Sequence, residues 1–194
     1  MTRANTSTGR ARNAGTRPAE RPLGLAARWQ NIKWLLCDVD GVLTDGGVFI
    51  GGKAELKRFD IQDGLGLVLL RREGIKVGWI SSRPSAATAR RAAELKIDFL
   101  HQARGGKLLV AEALLARNGL RWAEVCYMGD DLVDLALLKR AGVAVAVANA
   151  IAEARALAHY VTRDRGGHGA VREVAELILK AQGKWPRLVA EYSA

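Results

Sequence analysis

Two carboxylates, Asp38 and Asp40, stand two residues apart in DVDGVLTDG, directly after an apolar run. Neighbouring carboxylates repel unless a cation or a proton lies between them. A second acidic stretch, GDDLVD, adds Asp130, Asp131 and Asp134. If the fold brings both stretches to one edge, up to five carboxylates share it, and without a bound ion that is costly. A hard, oxygen-seeking divalent ion fits such a set, and Mg2+ is the usual one where phosphate is the substrate. Turns and helix caps account for part of the pattern, since Asp131 could cap a helix beginning at Leu132. Capping explains one Asp and leaves the others.

Lys107 follows FLHQARGG and opens a helix. A cation there opposes the helix dipole, so it needs an anion to face. The acidic cluster or a phosphoryl group would serve. ARGGKL lacks the early Gly and the Ser/Thr after Lys of a nucleotide-binding P-loop, and Gly64-Leu65-Gly66 is too little for a dinucleotide fingerprint. Cys37 and Cys126 each lie in an apolar run and read as buried, reduced thiols. The three His residues are scattered, which argues against a zinc site.

Elements at both scales must position these residues. Residues 33–39 (KWLLCDV), 76–80 (KVGWI), 98–100, 125–128 (VCYM) and 143–147 read as short buried strands, with a last one at 159–161. Residues 63–73, 84–95, 106–118, 132–140, 151–156 and 170–182 read as the intervening helices. This alternation predicts an α/β protein with a doubly wound, Rossmann-like parallel sheet. Ligands then bind beyond the carboxyl ends of the strands. Asp38 and Asp40 end the first strand, Ser81, Ser82 and Arg83 the second, and Asp130 and Asp131 the VCYM strand. Residues 48–50 and 54–59 form a hairpin turned at Gly51-Gly52.

The chain has 194 residues and a net charge of +10. Its length predicts one domain with a real core. Residues 1–30 hold six Arg and one Glu, half of the excess charge, and almost no apolar content. They read as a disordered basic tail, with an anion- or nucleic-acid-binding arm and an organelle transit peptide as the other readings. Residues 31–184 form the expected domain and 185–194 a C-terminal tail. No apolar run reaches the ~20 residues of a membrane span, and the start has no apolar leader core. A soluble, cytoplasmic protein is expected.

DVDGVLTDG, ISSR, the lone Lys107 and GDDLVD, in that order, resemble the four motifs of haloacid dehalogenase superfamily phosphatases. FLHQARGGK, YMGDDLVDLALLKRAGVAVAVANA, AHYVTRDRGGHGAVREVAELIL and DGGVFIGGKAELKRFDIQDGLGL narrow the resemblance to the 3-deoxy-D-manno-octulosonate (Kdo) 8-phosphate phosphatase family. It covers about residues 33–183. It implies a capless, homotetrameric hydrolase in lipopolysaccharide precursor synthesis, with no membrane partner and no nucleic acid expected. Relatives acting on sialic-type sugar 9-phosphates supply the alternative substrate. A third reading is an anion- or nucleic-acid-binding module on a phosphatase-like scaffold.

The resemblance assigns roles to positions. Asp38 is the nucleophile that becomes an aspartyl phosphate. Asp40 is the general acid, then the general base. Asp38, the Asp40 carbonyl and Asp130 hold Mg2+. Ser81 and Ser82 bind phosphate with Lys107, and Lys107 also pairs with Asp38. Asp131 and Asp134 support the metal ligands from behind. Asp40, Arg83 and Arg58 contact the sugar. The segment at 165–172 resembles a glycine-rich tail that reaches a neighbouring active site, with a helix N-terminal loop as the other reading. Here ISSR replaces the commoner TGR, Ala103 a usual Gly, and His168 a frequent Arg, while both catalytic carboxylates are kept. Capless architecture also follows from spacing. Forty-three positions separate Asp38 from Ser81 and twenty-six separate Ser81 from Lys107, which leaves no room for a cap domain.

Overall fold

A computed structural model describes residues 24–52 and 54–193. Six parallel strands form the central sheet: β1 (Trp34–Cys37), β4 (Lys76–Ser81), β5 (Phe99–Gln102), β6 (Val125–Gly129), β7 (Val143–Ala146) and β8 (Tyr160–Val161). Their order is β5-β4-β1-β6-β7-β8. β2 (Phe49–Gly51) and β3 (Ala54–Leu56) form the separate antiparallel hairpin. β1, β6 and β7 are buried along their whole length. That is why their sequences are continuous apolar runs: a parallel strand covered on both faces has no polar side.

The helices are α1 (Leu25–Gln30), α2 (Ile61–Arg72), α3 (Ala86–Glu94), α4 (Lys107–Arg117), α5 (Leu135–Leu138), α6 (Ala152–Leu157), α7 (Ala170–Ala181) and α8 (Trp185–Tyr192). α7 packs against α1, α2 and α8, while α5 packs against α4 and α6. The chain leaves β1 toward β4 and β5, then returns across the sheet to β6 and β7. The reversal opens a crevice at the carboxyl end of β1, between β4 and β6. Asp38 extends the β1 ladder, its N–H donating to the Met128 carbonyl at 2.9 Å.

Several boundaries differ from the sequence reading. The Asp60 carboxylate accepts from the N–H groups of Gln62 and Asp63, so α2 starts two residues earlier than expected. Ser85, not Pro84, starts α3, because its hydroxyl accepts from Thr88 N–H and leaves Pro84 outside the helix. The helix expected at 132–140 is a 3-10 turn at 132–134 followed by the short α5. The first hairpin arm is shifted by one residue, and the second ends at Leu56, three residues sooner than read. α1 lies within the stretch expected to be tail, because Trp29 is buried and meets Tyr160 edge-on at 6.0 Å. Residues 1–23 of that stretch lie outside the described residues. Residues 185–192, also expected as tail, form α8, anchored by buried Leu188.

The segment at 165–172 leads into α7 and packs on its own chain, beneath the Asp38–Asp45 loop. Gly167 N–H donates to the Val42 carbonyl at 2.9 Å. A Cβ at Gly166 would stand 1.7 Å from the Gly41 carbonyl oxygen, so only glycine allows this approach. Asp63 accepts from Arg172 N–H at 2.7 Å and from Gly169 N–H at 3.4 Å, tying α2 to the start of α7.

Candidate active site

The loop after β1 turns sharply, with Val42, Leu43 and Thr44 N–H all directed at the Val39 carbonyl. The Thr44 hydroxyl accepts from Gly41 and Gly46 N–H, which closes the turn. Gly41 has φ +96°, and a Cβ there would lie 2.0 Å from Asp130 Oδ2. Glycine therefore lets the Asp130 carboxylate sit against the loop that carries Asp38.

Lys107 is the electrostatic centre. Its side chain is 4% exposed, and its ammonium stands 2.8 Å from both Asp38 Oδ1 and Asp134 Oδ1. Burial opposes the charge, but the two carboxylates outweigh it and hold the ammonium above its usual range. Asp134 is fully occupied: Oδ1 also accepts from the Tyr127 hydroxyl at 2.6 Å, and Oδ2 accepts from Asp130 and Asp131 N–H. Asp131 caps its own turn by accepting from Leu132 N–H at 2.7 Å.

Asp38, Asp130 and Asp134 each present an oxygen within 4.8 Å of the others, as a metal site requires. Asp130 Oδ1 is buried and has no hydrogen-bond partner among the described residues. A buried, unpartnered carboxylate oxygen beside two other carboxylates fits a divalent cation. With Asp134 already saturated, the oxygens facing such an ion belong to Asp38 and Asp130. In the metal-free protein burial, then Asp134, pushes Asp38 up to about 6 against the pull of Lys107. Burial, then Asp38 and Asp134, pushes Asp130 up to about 7.

A cleft of about 260 Å³ opens over this cluster, lined by Asp38, Asp40, Gly46, Val48, Ser81, Ser82, Arg83, Lys107, Asp131 and Val133. Ser81 ends β4, its hydroxyl 3.0 Å from Arg83 N and 3.1 Å from Arg83 O. Arg83 pairs with Glu55 of the hairpin at 2.6 Å. The structure thus gathers Asp38, Asp40, Ser81, Ser82, Arg83, Lys107 and Asp131 at the cleft wall, with Asp130 and Asp134 beside Asp38. It does not bring Arg58 there. The Arg58 guanidinium donates to the Gly167 carbonyl at 2.9 Å and so is spent on the glycine-rich segment.

Three site residues escaped the sequence reading. Tyr127 left a usable signal: a Tyr inside a fully buried strand needs a partner for its hydroxyl. Glu55 and Lys57 also left one, since two opposite charges stand two residues apart on either side of Leu56 and so share one face of an extended chain.

Residues 103–174 match the family model of haloacid dehalogenase-like hydrolases. The chain is 44% identical over 158 residues to the 3-deoxy-D-manno-octulosonate 8-phosphate phosphatase of Yersinia pestis, covering 81% of this chain and 84% of that protein. Its counterpart in Escherichia coli K12 is 42% identical over 159 residues, covering 81% and 85%. Among solved structures, the Moraxella catarrhalis phosphatase of the same name, in complex with magnesium, phosphate and KDO, superposes with a TM-score of 0.84. It is 40% identical, over 86% of this chain and 97% of that one.

Proposed function

The chain belongs to the 3-deoxy-D-manno-octulosonate 8-phosphate phosphatase family of haloacid dehalogenase-like hydrolases, and on that footing we infer that it releases phosphate from Kdo 8-phosphate in lipopolysaccharide precursor synthesis. It is a phosphoric monoester hydrolase with Mg2+ as cofactor. The observation that carries the residue assignments is the buried Lys107 ammonium shared by Asp38 and Asp134, beside the unpartnered Asp130 oxygen.

Asp38 attacks phosphorus while the bond to the sugar oxygen breaks, and an aspartyl phosphate forms. Asp40 gives its proton to that oxygen. Water then attacks the phosphoenzyme, Asp40 takes the water proton, and Asp38 is freed with inorganic phosphate. Lys107 faces the transferring group and keeps Asp38 oriented. Ser81, and Ser82 beside it, hold phosphoryl oxygens, and Arg83 meets the sugar acid. Asp38, the Asp40 carbonyl and Asp130 hold the Mg2+, which supplies charge neutralisation at the phosphoryl group. Asp134 fixes Lys107, and Asp131 shapes the turn that carries Asp130.

The cleft is open, and the nearby hairpin exposes Phe49, Ile50 and Leu56, at 66%, 85% and 64%. A homotetramer that buries these side chains and closes the cleft with a neighbouring subunit explains both features. Among the described residues no helix is long and apolar enough to cross a membrane, and the reaction is assigned to the cytoplasm.

The test is a panel of sugar phosphates assayed with Mg2+ and with EDTA. Kdo 8-phosphate should be preferred, and EDTA should abolish turnover. Preference for a nine-carbon sialic-type 9-phosphate, or activity that survives EDTA, rejects the assignment.

Metal loading should depend on pH with a definite sign. Mg2+ must displace the proton that Asp130 holds up to about 7 and Asp38 up to about 6. The half-saturating Mg2+ concentration should therefore rise about tenfold between pH 7.5 and pH 6. Titrating activity with Mg2+ at each pH measures it, and a pH-independent value contradicts the arrangement.

A further inference from the structure

The Lys57 side chain is 0% exposed, and its ammonium stands 2.6 Å from Asp40 Oδ1. Lysine is almost never fully buried unless it is paired. The same nitrogen donates to the Thr88 hydroxyl at 3.3 Å and lies 3.8 Å from Glu55 Oε1. Glu55 in turn accepts from the Ser85 hydroxyl at 2.7 Å and pairs with Arg83. Residues 55 and 57 thus clamp the cleft wall with one polar face of the hairpin chain.

Stability alone does not call for this arrangement. An apolar side chain of the same volume is often as good or better in a buried ion-pair position. What the lysine adds is direction. A carboxylate has two oxygens; Lys57 holds buried Oδ1 as an ion pair, with no aligned hydrogen bond to it among the described residues, and the other oxygen is left to serve the cleft. Asp40 sits on a loop with its side chain 24% exposed, where rotation is otherwise available. Proton transfer needs the carboxyl oxygen about 2.6–3.2 Å from its target.

We propose that Lys57 is a positioning residue: by gripping one Asp40 oxygen it aims the other at the leaving sugar oxygen, and then at the attacking water. This rests on the phosphatase reading above and adds the group that fixes the general acid.

The test compares K57M, which keeps the stem, with K57R, which keeps the charge, in the full chain with Mg2+. For the sugar-acid phosphate, K57M should lower kcat about 30- to 300-fold, a share of what general acid–base catalysis supplies, with KM within about threefold. K57R should recover part of the loss. The discriminating probe is p-nitrophenyl phosphate, whose leaving group departs without a proton. With it K57M should release about one nitrophenolate per site in a burst and then turn over slowly, because only the hydrolysis step still needs Asp40. A kcat within twofold of wild type, or a folded K57M with no burst, overturns the proposal. If K57M does not fold, T88V, which removes one anchor of the ammonium, is read instead. It should lower kcat about three- to tenfold with a burst, and an unchanged kcat without one overturns the proposal. Should wild type ignore Kdo 8-phosphate but cleave another sugar phosphate, the substrate reading fails alone, and Lys57 is judged with that substrate and the aryl phosphate.

Discussion

Asp38→Asn should lower kcat at least about 10⁴-fold, because an amide cannot form the aspartyl phosphate and the remaining groups do not substitute for a nucleophile. The fold should survive. Asp38 is 5% exposed and sits among like charges, with burial and Asp134 already pushing it up to about 6. Asn keeps the shape and removes the repulsion. In EDTA the variant should therefore melt no lower than wild type. The rise in melting temperature on adding Mg2+ should shrink, since one of two metal-facing carboxylates is gone. Rapid-quench detection of a phosphoenzyme in wild type and its absence in the variant completes the measurement. Residual turnover near one-tenth of wild type would place the nucleophile elsewhere.

Lys107→Met should damage stability and activity together. The ammonium is the only cation whose ion pairs with Asp38 and Asp134 are seen among the described residues. Its removal leaves two buried carboxylates facing each other, with Asp130 alongside. Breaking a buried pair this way costs about 3–5 kcal/mol, which in a chain of this size lowers the melting temperature by about 10 °C. Turnover should fall about 10³-fold, because the phosphoryl group loses a charged partner and Asp38 its orientation. The pH dependence has a sign. An acid whose native pKa is raised stabilises the fold where it is protonated, and that contribution is lost as pH rises through its native value. For Asp38 and Asp130 those values are about 6 and about 7, and losing Lys107 raises them further. The stability gap between wild type and variant in EDTA should widen from pH 5 to pH 8. A constant gap, or a melting temperature within 2 °C of wild type, would deny Lys107 its central place.

Much of the architecture was legible because two signals agreed. Strands such as WLLC, VCYMG and VAVA are apolar throughout, as a doubly covered parallel sheet requires, and the first two are each followed by an acidic cluster at the carboxyl end. Those ends bring Asp38, Ser81 and Asp130 together by topology alone. What escaped depends on contacts between distant segments. Asp131 and Asp134 look alike in GDDLVD, yet one is an exposed cap and the other a buried partner of Lys107 and Tyr127. Arg58 and Lys57 are adjacent in the segment just after β3, yet they go to different partners: Lys57 to Asp40, Arg58 to Gly167. The seat of the glycine-rich segment under the Asp38 loop was not legible, because its glycines signal close approach without saying to what.

That segment has a consequence for how the enzyme is made. The loop bearing Asp38 and Asp40 is among the first folded parts to leave the ribosome, but its underside is completed by Gly166 and Gly167, and β1 pairs with β6 only after residue 129. At about 5–20 residues per second, a nascent chain carries its reactive carboxylates for on the order of ten seconds before the turn that aims them is sealed. A chain whose synthesis stops before α7 is therefore an inert phosphatase, whatever residues of the catalytic set it already contains.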